Sequence, residues 1–193
     1  MGALGGCLFL LVALAIFAAI WAIWRYNNLI ALKNQVSNAW KQIDVQLKRR
    51  HDVIPNLIAS VKGEMQFEQD TLEKVIQARN TAVAARGVAD AAEKENQLTQ
   101  TLSRLFALAE NYPNLKANES VRALMEELTS TENKIGFARQ FYNDIATRFN
   151  TAQQIFPDNF IAQTFKFQPV ELYEIRDAAE REVPKVDLSV RPQ

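Results

Sequence analysis

Glycine and proline are scarce, six of each in 193 residues, and most lie outside the periodic segments. That leaves too few closely spaced turns for an all-β chain. A single cysteine, Cys7, excludes an intramolecular disulfide. A single histidine, His51, cannot supply the two Glu-x-x-His pairs of a carboxylate di-metal bundle, and the position three before it is Lys48. No Gly-rich phosphate loop, Gly-x-Ser-x-Gly elbow or Cys-x-x-Cys pair is present, so no catalytic residue, metal ligand or cofactor is expected. Lys plus Arg and Asp plus Glu both number 22, which gives no electrostatic case for nucleic acid as a partner. The most consequential absence is local: Gly2 to Trp24 carries no charged side chain.

The stretch from Cys7 to Trp24 covers about 27 Å as a helix, close to the hydrocarbon thickness of a bilayer. No Lys or Arg precedes it, and the tryptophans at its end fit a signal-peptidase site poorly. Leu4-Gly5-Gly6-Cys7 suggests a lipoprotein signal, but Cys7 begins the apolar run where the modified cysteine would end it. Gly6 stands where a myristoylation signal wants Ser or Thr. An uncleaved single-pass anchor is the expectation. Arg25, Lys33, Lys41, Lys48, Arg49 and Arg50 follow the span, opposed only by Asp44, so the C-terminal part is expected in the cytoplasm and the N-terminus outside. Trp21, Trp24, Arg25 and Tyr26 form the aromatic and basic collar of the membrane interface.

Beyond the anchor the apolar spacing is helical. Leu32, Val36, Trp40, Ile43, Leu47, Ile54, Leu57 or Ile58, and Val61 share one face, with Pro55 predicted to kink or break the helix and Gly63 to stop it. Asp70-Thr71-Leu72-Glu73 and Asp90-Ala91-Ala92-Glu93 read as capping boxes opening a second and a third helix, the latter ended by Tyr112-Pro113-Asn114. Asn118 opens the strongest segment: Val121, Leu124, Leu128, Thr131, Ile135, Ala138, Tyr142, Ile145, Phe149, Ala152 and Phe156, at gaps of three and four. A last helix is expected from Val170 to about Arg181. The fold predicted is all-α: a transmembrane helix over 1–25 continuing into an antiparallel four-helix bundle of long helices, with a short C-terminal helix, over 26–183, then a flexible tail over 184–193.

The second and third helices are too short to accompany the first and fourth along their full length. The membrane-proximal half is therefore expected to show an apolar stripe with too few covering helices, a feature of interaction surfaces. Small residues at four-residue spacing, Ala15 with Ala19 and Ala18 with Ala22, favour close helix approach in lipid, as does Gly2 with Gly6. With Phe149 and Phe156 they are the candidates for self-association. Lys48, Arg49 and Arg50 are candidates for binding an acidic partner, against the plainer reading of a solvated face that fixes topology. His51 reads as a surface or bundle-edge residue, and Glu126, Glu127 and Glu132 as a solvated face. Thr131-Glu132-Asn133 is an expected polar layer that fixes register.

Several strings are long and ordered enough to be specific: Tyr26 to Asn34, Ala39-Trp40-Lys41-Gln42-Ile43-Asp44-Val45-Gln46-Leu47-Lys48-Arg49-Arg50, Asp52 to Leu57, Val61-Lys62-Gly63, Asn111 to Ala117, Thr131 to Ile135, Tyr142-Asn143 and Phe156-Pro157. They closely resemble the bacterial LemA family over about Tyr26 to Phe167. The chain departs at Phe165-Lys166-Phe167, where the family usually has Gly between the aromatics. The resemblance implies a single-span protein of the bacterial inner membrane with a helical bundle and no established catalytic residues. Some members are linked to membrane remodelling or magnetosome formation, and others sit near membrane proteases. Expected partners are the bilayer and further copies of the chain, with a membrane protein as a further candidate. A non-enzymatic scaffold is the leading expectation, and an adaptor or regulator of a membrane enzyme such as a protease the alternative.

Overall fold

The computed structural model describes residues 2–63, 65 and 68–174, and these form six helices without a strand. The first, α1 (Gly2–Val61), is one unbroken helix of 60 residues with Pro55 inside it. Pro55 removes one backbone donor without ending the helix, because Ile54, Leu57 and Ile58 around it are buried in the core and hold both sides of the turn. Helix α2 (Gln69–Val83) is followed by α3 (Val88–Ala109), a single turn α4 (Pro113–Ala117), α5 (Glu119–Ala152) and α6 (Asp158–Thr164).

The helix starts reflect local chemistry. Asn118 caps α5, its side-chain oxygen accepting from the amides of Ser120 at 3.0 Å and Val121 at 3.3 Å. The two expected capping boxes form differently. Asp70 lies in the first turn of α2, whose N-cap is Glu68. Gly87, with φ 83°, is the N-cap of α3, an uncommon geometry for any residue with a Cβ. Asp90 then reaches back to accept from the Arg86 amide at 2.7 Å and from Lys94 Nζ at 2.9 Å. Both of these contacts hold its carboxyl below the usual aspartate range.

Two cores stack along the rod. The distal one draws Ile54, Leu57 and Val61 of α1 together with Leu72 and Val75 of α2, Leu98, Leu102 and Leu105 of α3, and Val121 and Leu128 of α5. This is the four-helix part. In the proximal core, Val36, Ala39, Ile43 and Leu47 of α1 meet Ile135, Tyr142, Ile145 and Phe149 of α5. Each large aliphatic side chain buried this way contributes about 1.5–3 kcal/mol relative to exposure. Val121, Leu128, Ile135, Tyr142 and Phe149 are all buried and recur every seven residues, as do Leu29, Val36, Ile43, Arg50 and Leu57 on α1.

The proximal stripe is not left bare, which corrects the expectation from helix lengths. Residues 167–174 run without helix along α1 and α5, and Phe167, Val170, Leu172 and Tyr173 pack into the proximal core. Two asparagines of α5 fasten this strap. Asn150 accepts from the Val170 amide and donates to its carbonyl, both at 2.9 Å, and Asn143 does the same for Tyr173 at 2.8 and 3.1 Å. Tyr142 Oη donates to the Glu171 carbonyl at 2.7 Å. The helix expected from Val170 is therefore absent through Glu174, because these side chains occupy the backbone groups a helix would need. The remainder of that expected helix and the tail over 184–193 lie outside the described residues.

Candidate membrane-proximal site

After Arg25, α1 runs about 54 Å, and the 34 residues of α5 return over about 51 Å, so the end of α5 comes back level with the collar. There Arg25 Nε lies 2.9 Å from Asp158 Oδ1 at the start of α6. Asp158 is only 2% exposed. The Arg25 guanidinium also sits 5.3 Å above the Trp24 ring and 5.8 Å from that of Trp21, within cation–π range. Tyr26 packs its ring 4.6 Å from Phe165 and 5.8 Å from Phe167. All four collar residues thus cluster at one level, joined to a part of the chain more than 130 positions away.

The Phe165-Lys166-Phe167 departure has a geometric consequence here. Lys166 adopts φ 55°, the left-handed conformation that glycine enters freely and a side chain enters at a cost of about 1–2 kcal/mol. The turn places Phe165 against Tyr26 and Phe167 against both Tyr26 and Phe149.

The self-association candidates separate. Ala15, Ala18 and Ala19 are exposed along a span with no covering helix, whereas Ala22 is partly covered. Phe149 is buried in the proximal core, its ring 6.3 Å from Phe167, so it is an internal packing residue. Phe156 is 77% exposed and touches the Phe160 ring at 6.0 Å.

The basic triplet separates too. Lys48 is exposed, and Arg49 pairs with Glu127 across the α1–α5 face, a contact worth little at the surface. Arg50 is not available to a partner: it is 1% exposed and fills a heptad position inside the bundle. Its Nη1 lies 2.5 Å from Glu132 and 3.7 Å from Glu95, and its Nη2 donates to Thr99 Oγ1 at 2.8 Å. Burial pulls the guanidinium below its ordinary pKa, opposed by Glu132 and Glu95. His51 is likewise inside rather than at the surface, with Nε2 2.6 Å from Glu95 Oε1. Glu132 belongs to this layer instead of a solvated face, and Thr131 beside it is fully buried. Of the expected polar layer Thr131 and Glu132 turn inward while Asn133 is exposed, and the centre of the layer is Arg50 with Glu95.

Sequence reasoning missed three features: the Asp158 partner of Arg25, the asparagine-held strap, and an exposed apolar strip of Val45, Phe137 and Phe141 on the α1–α5 face. Phe137 and Phe141, four apart on α5 and off the heptad face, were the available signal for the strip.

An unpartnered apolar helix continuous with a helical bundle defines a membrane-associated protein carrying one candidate span. Residues 39–188 match the LemA family, and the chain belongs to it. It is 29% identical to Protein LemA of Metamycoplasma hominis over 94% of this chain and 80% of that one. It is also similar to Magnetosome protein MamQ 2 of Paramagnetospirillum magneticum and to Magnetosome protein MamQ of Magnetospirillum gryphiswaldense, each 20% identical over 81% of this chain and 67% of theirs.

Proposed function

We propose that the protein is a non-enzymatic scaffold of the bacterial inner membrane, with its N-terminus outside and its bundle in the cytoplasm, that self-associates through the anchor and the membrane-proximal rod. The observation that carries this reading is the apolar surface left without a partner on the span and on the membrane-proximal bundle. It comprises the span with Ala15, Ala18 and Ala19, and above it Val45, Phe137 and Phe141, which are 61%, 74% and 47% exposed. The single histidine, His51, is held by Glu95 within the buried layer of Arg50, Glu95 and Glu132. The magnetosome names of two relatives are consistent with an organising role at a membrane.

The test is crosslinking of the full chain in lipid, with Cys7→Ser and either Ala15→Cys or Phe137→Cys. Covalent dimers at both positions, lost at Phe137→Cys when Phe141 is replaced by Asp, are the expected result. A chain that stays monomeric by mass and forms no crosslink at either position refutes self-association. Orientation is checked separately, by protease digestion of intact and opened cells. The alternative, an adaptor or regulator of a membrane enzyme such as a protease, draws support from Lys48. It stands exposed in an open cleft lined also by Asp44, Asp52 and Arg79. Stoichiometric capture of a foreign membrane protein, abolished by Lys48→Glu with Arg49→Glu, would favour it.

A further inference from the structure

The corner between α5 and α6 exposes a cluster of large apolar side chains. Ile155, Phe156, Phe160 and Phe165 are 50%, 77%, 60% and 55% exposed. From Phe149 to Phe165 the sequence holds a single charged residue, Asp158, and that one is buried against Arg25. The tip therefore presents no exposed charge, although both its flanks are basic, Arg148 on one side and Lys166 on the other. Its position is fixed by contacts to the collar, Asp158 to Arg25 and Phe165 to Tyr26. Along α1, side chains are exposed from Leu8 to Ile20 and first become partly covered at Trp21 and Ala22, one turn on the hydrocarbon side of Arg25. Helix α6 packs on α1 at this end.

We propose that this corner is a second membrane contact: its apolar tip seats in the headgroup and upper acyl region of the leaflet from which α1 emerges. Aromatic rings with cations beside them are the side chains that region accepts, and four large apolar groups held at bilayer level in water have a ready alternative within a few ångströms. Arg148 and Lys166 then face anionic headgroups. Lys166 accounts for its own strained backbone in this arrangement, since glycine there would relax the turn and remove the cation. The tip enters one leaflet only, so it displaces lipid asymmetrically about the span. The proposal rests on the span and is independent of self-association.

Depth measurements on the full chain test it. With Cys7→Ser, a nitroxide is placed by Phe156→Cys or Phe160→Cys, with Ile16→Cys as the control in the span and Val45→Cys as the control in water. The protein is held at one copy per nanodisc of phosphatidylcholine with phosphatidylglycerol. The labels at 156 and 160 are expected to prefer oxygen over an aqueous nickel chelate, as Ile16→Cys does. Adding Phe156→Asp to Phe160→Cys should raise nickel accessibility about fivefold. These positions are exposed, so the substitutions leave the core intact. Labels at 156 and 160 that behave like Val45→Cys while Ile16→Cys stays in lipid overturn the proposal alone. If Ile16→Cys is itself aqueous, the span falls with it. Protection that requires two copies per disc assigns the tip to a second chain and likewise overturns it.

Discussion

Replacing Arg50 with methionine tests whether the buried layer stabilises the bundle as a set of compensating charges. The guanidinium is 1% exposed, and so is the Glu95 side chain that faces it. Removing the cation leaves that carboxylate inside the bundle with His51 as its remaining side-chain partner, at a cost of about 3–5 kcal/mol. For a domain of this size each kcal/mol moves the melting temperature by about 2–4 °C, so the full chain in detergent should melt roughly 6–20 °C lower, followed by far-ultraviolet circular dichroism. Adding Glu95→Gln removes the stranded charge while keeping an oxygen for His51. Glu132 is about one-third exposed and can be solvated without Arg50. The double variant should recover about 2 kcal/mol or more of the loss, a coupling energy read from the double-mutant cycle. An Arg50→Met protein within about 1 kcal/mol of the parent, or a double variant as unstable as the sum of its singles, refutes the account.

Other expectations follow from the same geometry. Asn150→Ala or Asn143→Ala each removes a donor and an acceptor from the strap and should lower its local stability by about 1–3 kcal/mol, seen as faster hydrogen exchange at the Val170 or Tyr173 amide. Burial raises the Tyr142 phenol above its ordinary value of 10.0, so its stabilising contribution is complete below that pH and declines as pH climbs through the folded value. The strap should consequently loosen in alkali, with Tyr142→Phe weakening that dependence on exchange at 171–173 and the buried Tyr173 phenol, also raised above its ordinary value, supplying the rest. Asn118→Ala strips the cap of α5 and should cost about 1 kcal/mol in a thermal melt.

Much of the architecture was readable from spacing alone, because residues such as Val121, Leu128, Ile135, Tyr142 and Phe149 repeat at the period the packing requires. Arg50 was hidden by its type. The apolar face of α1 skips from Leu47 to Ile54, and the gap is where a charged residue occupies a core position. A pattern of apolar side chains cannot report a site whose partners, Glu95 and Glu132, are supplied by helices 45 and 82 positions away. The strap escaped for a related reason: Val170 to Glu174 has no periodicity of its own, and its conformation is dictated by Asn143 and Asn150 across the groove. The cluster of Trp21, Trp24 and Arg25 was legible on α1, but Asp158 needed the return length of α5 to be placed beside it.

Because α1 passes from candidate span to bundle as one helix, an α1 seated in a bilayer as proposed would act as a lever with its fulcrum there. A change of about 10° in the tilt of the buried arm swings the far end, some 55 Å away at Val61, through roughly 10 Å. Thickening or thinning of the lipid, which helices meet by tilting, would in that arrangement become a lateral movement of the distal head.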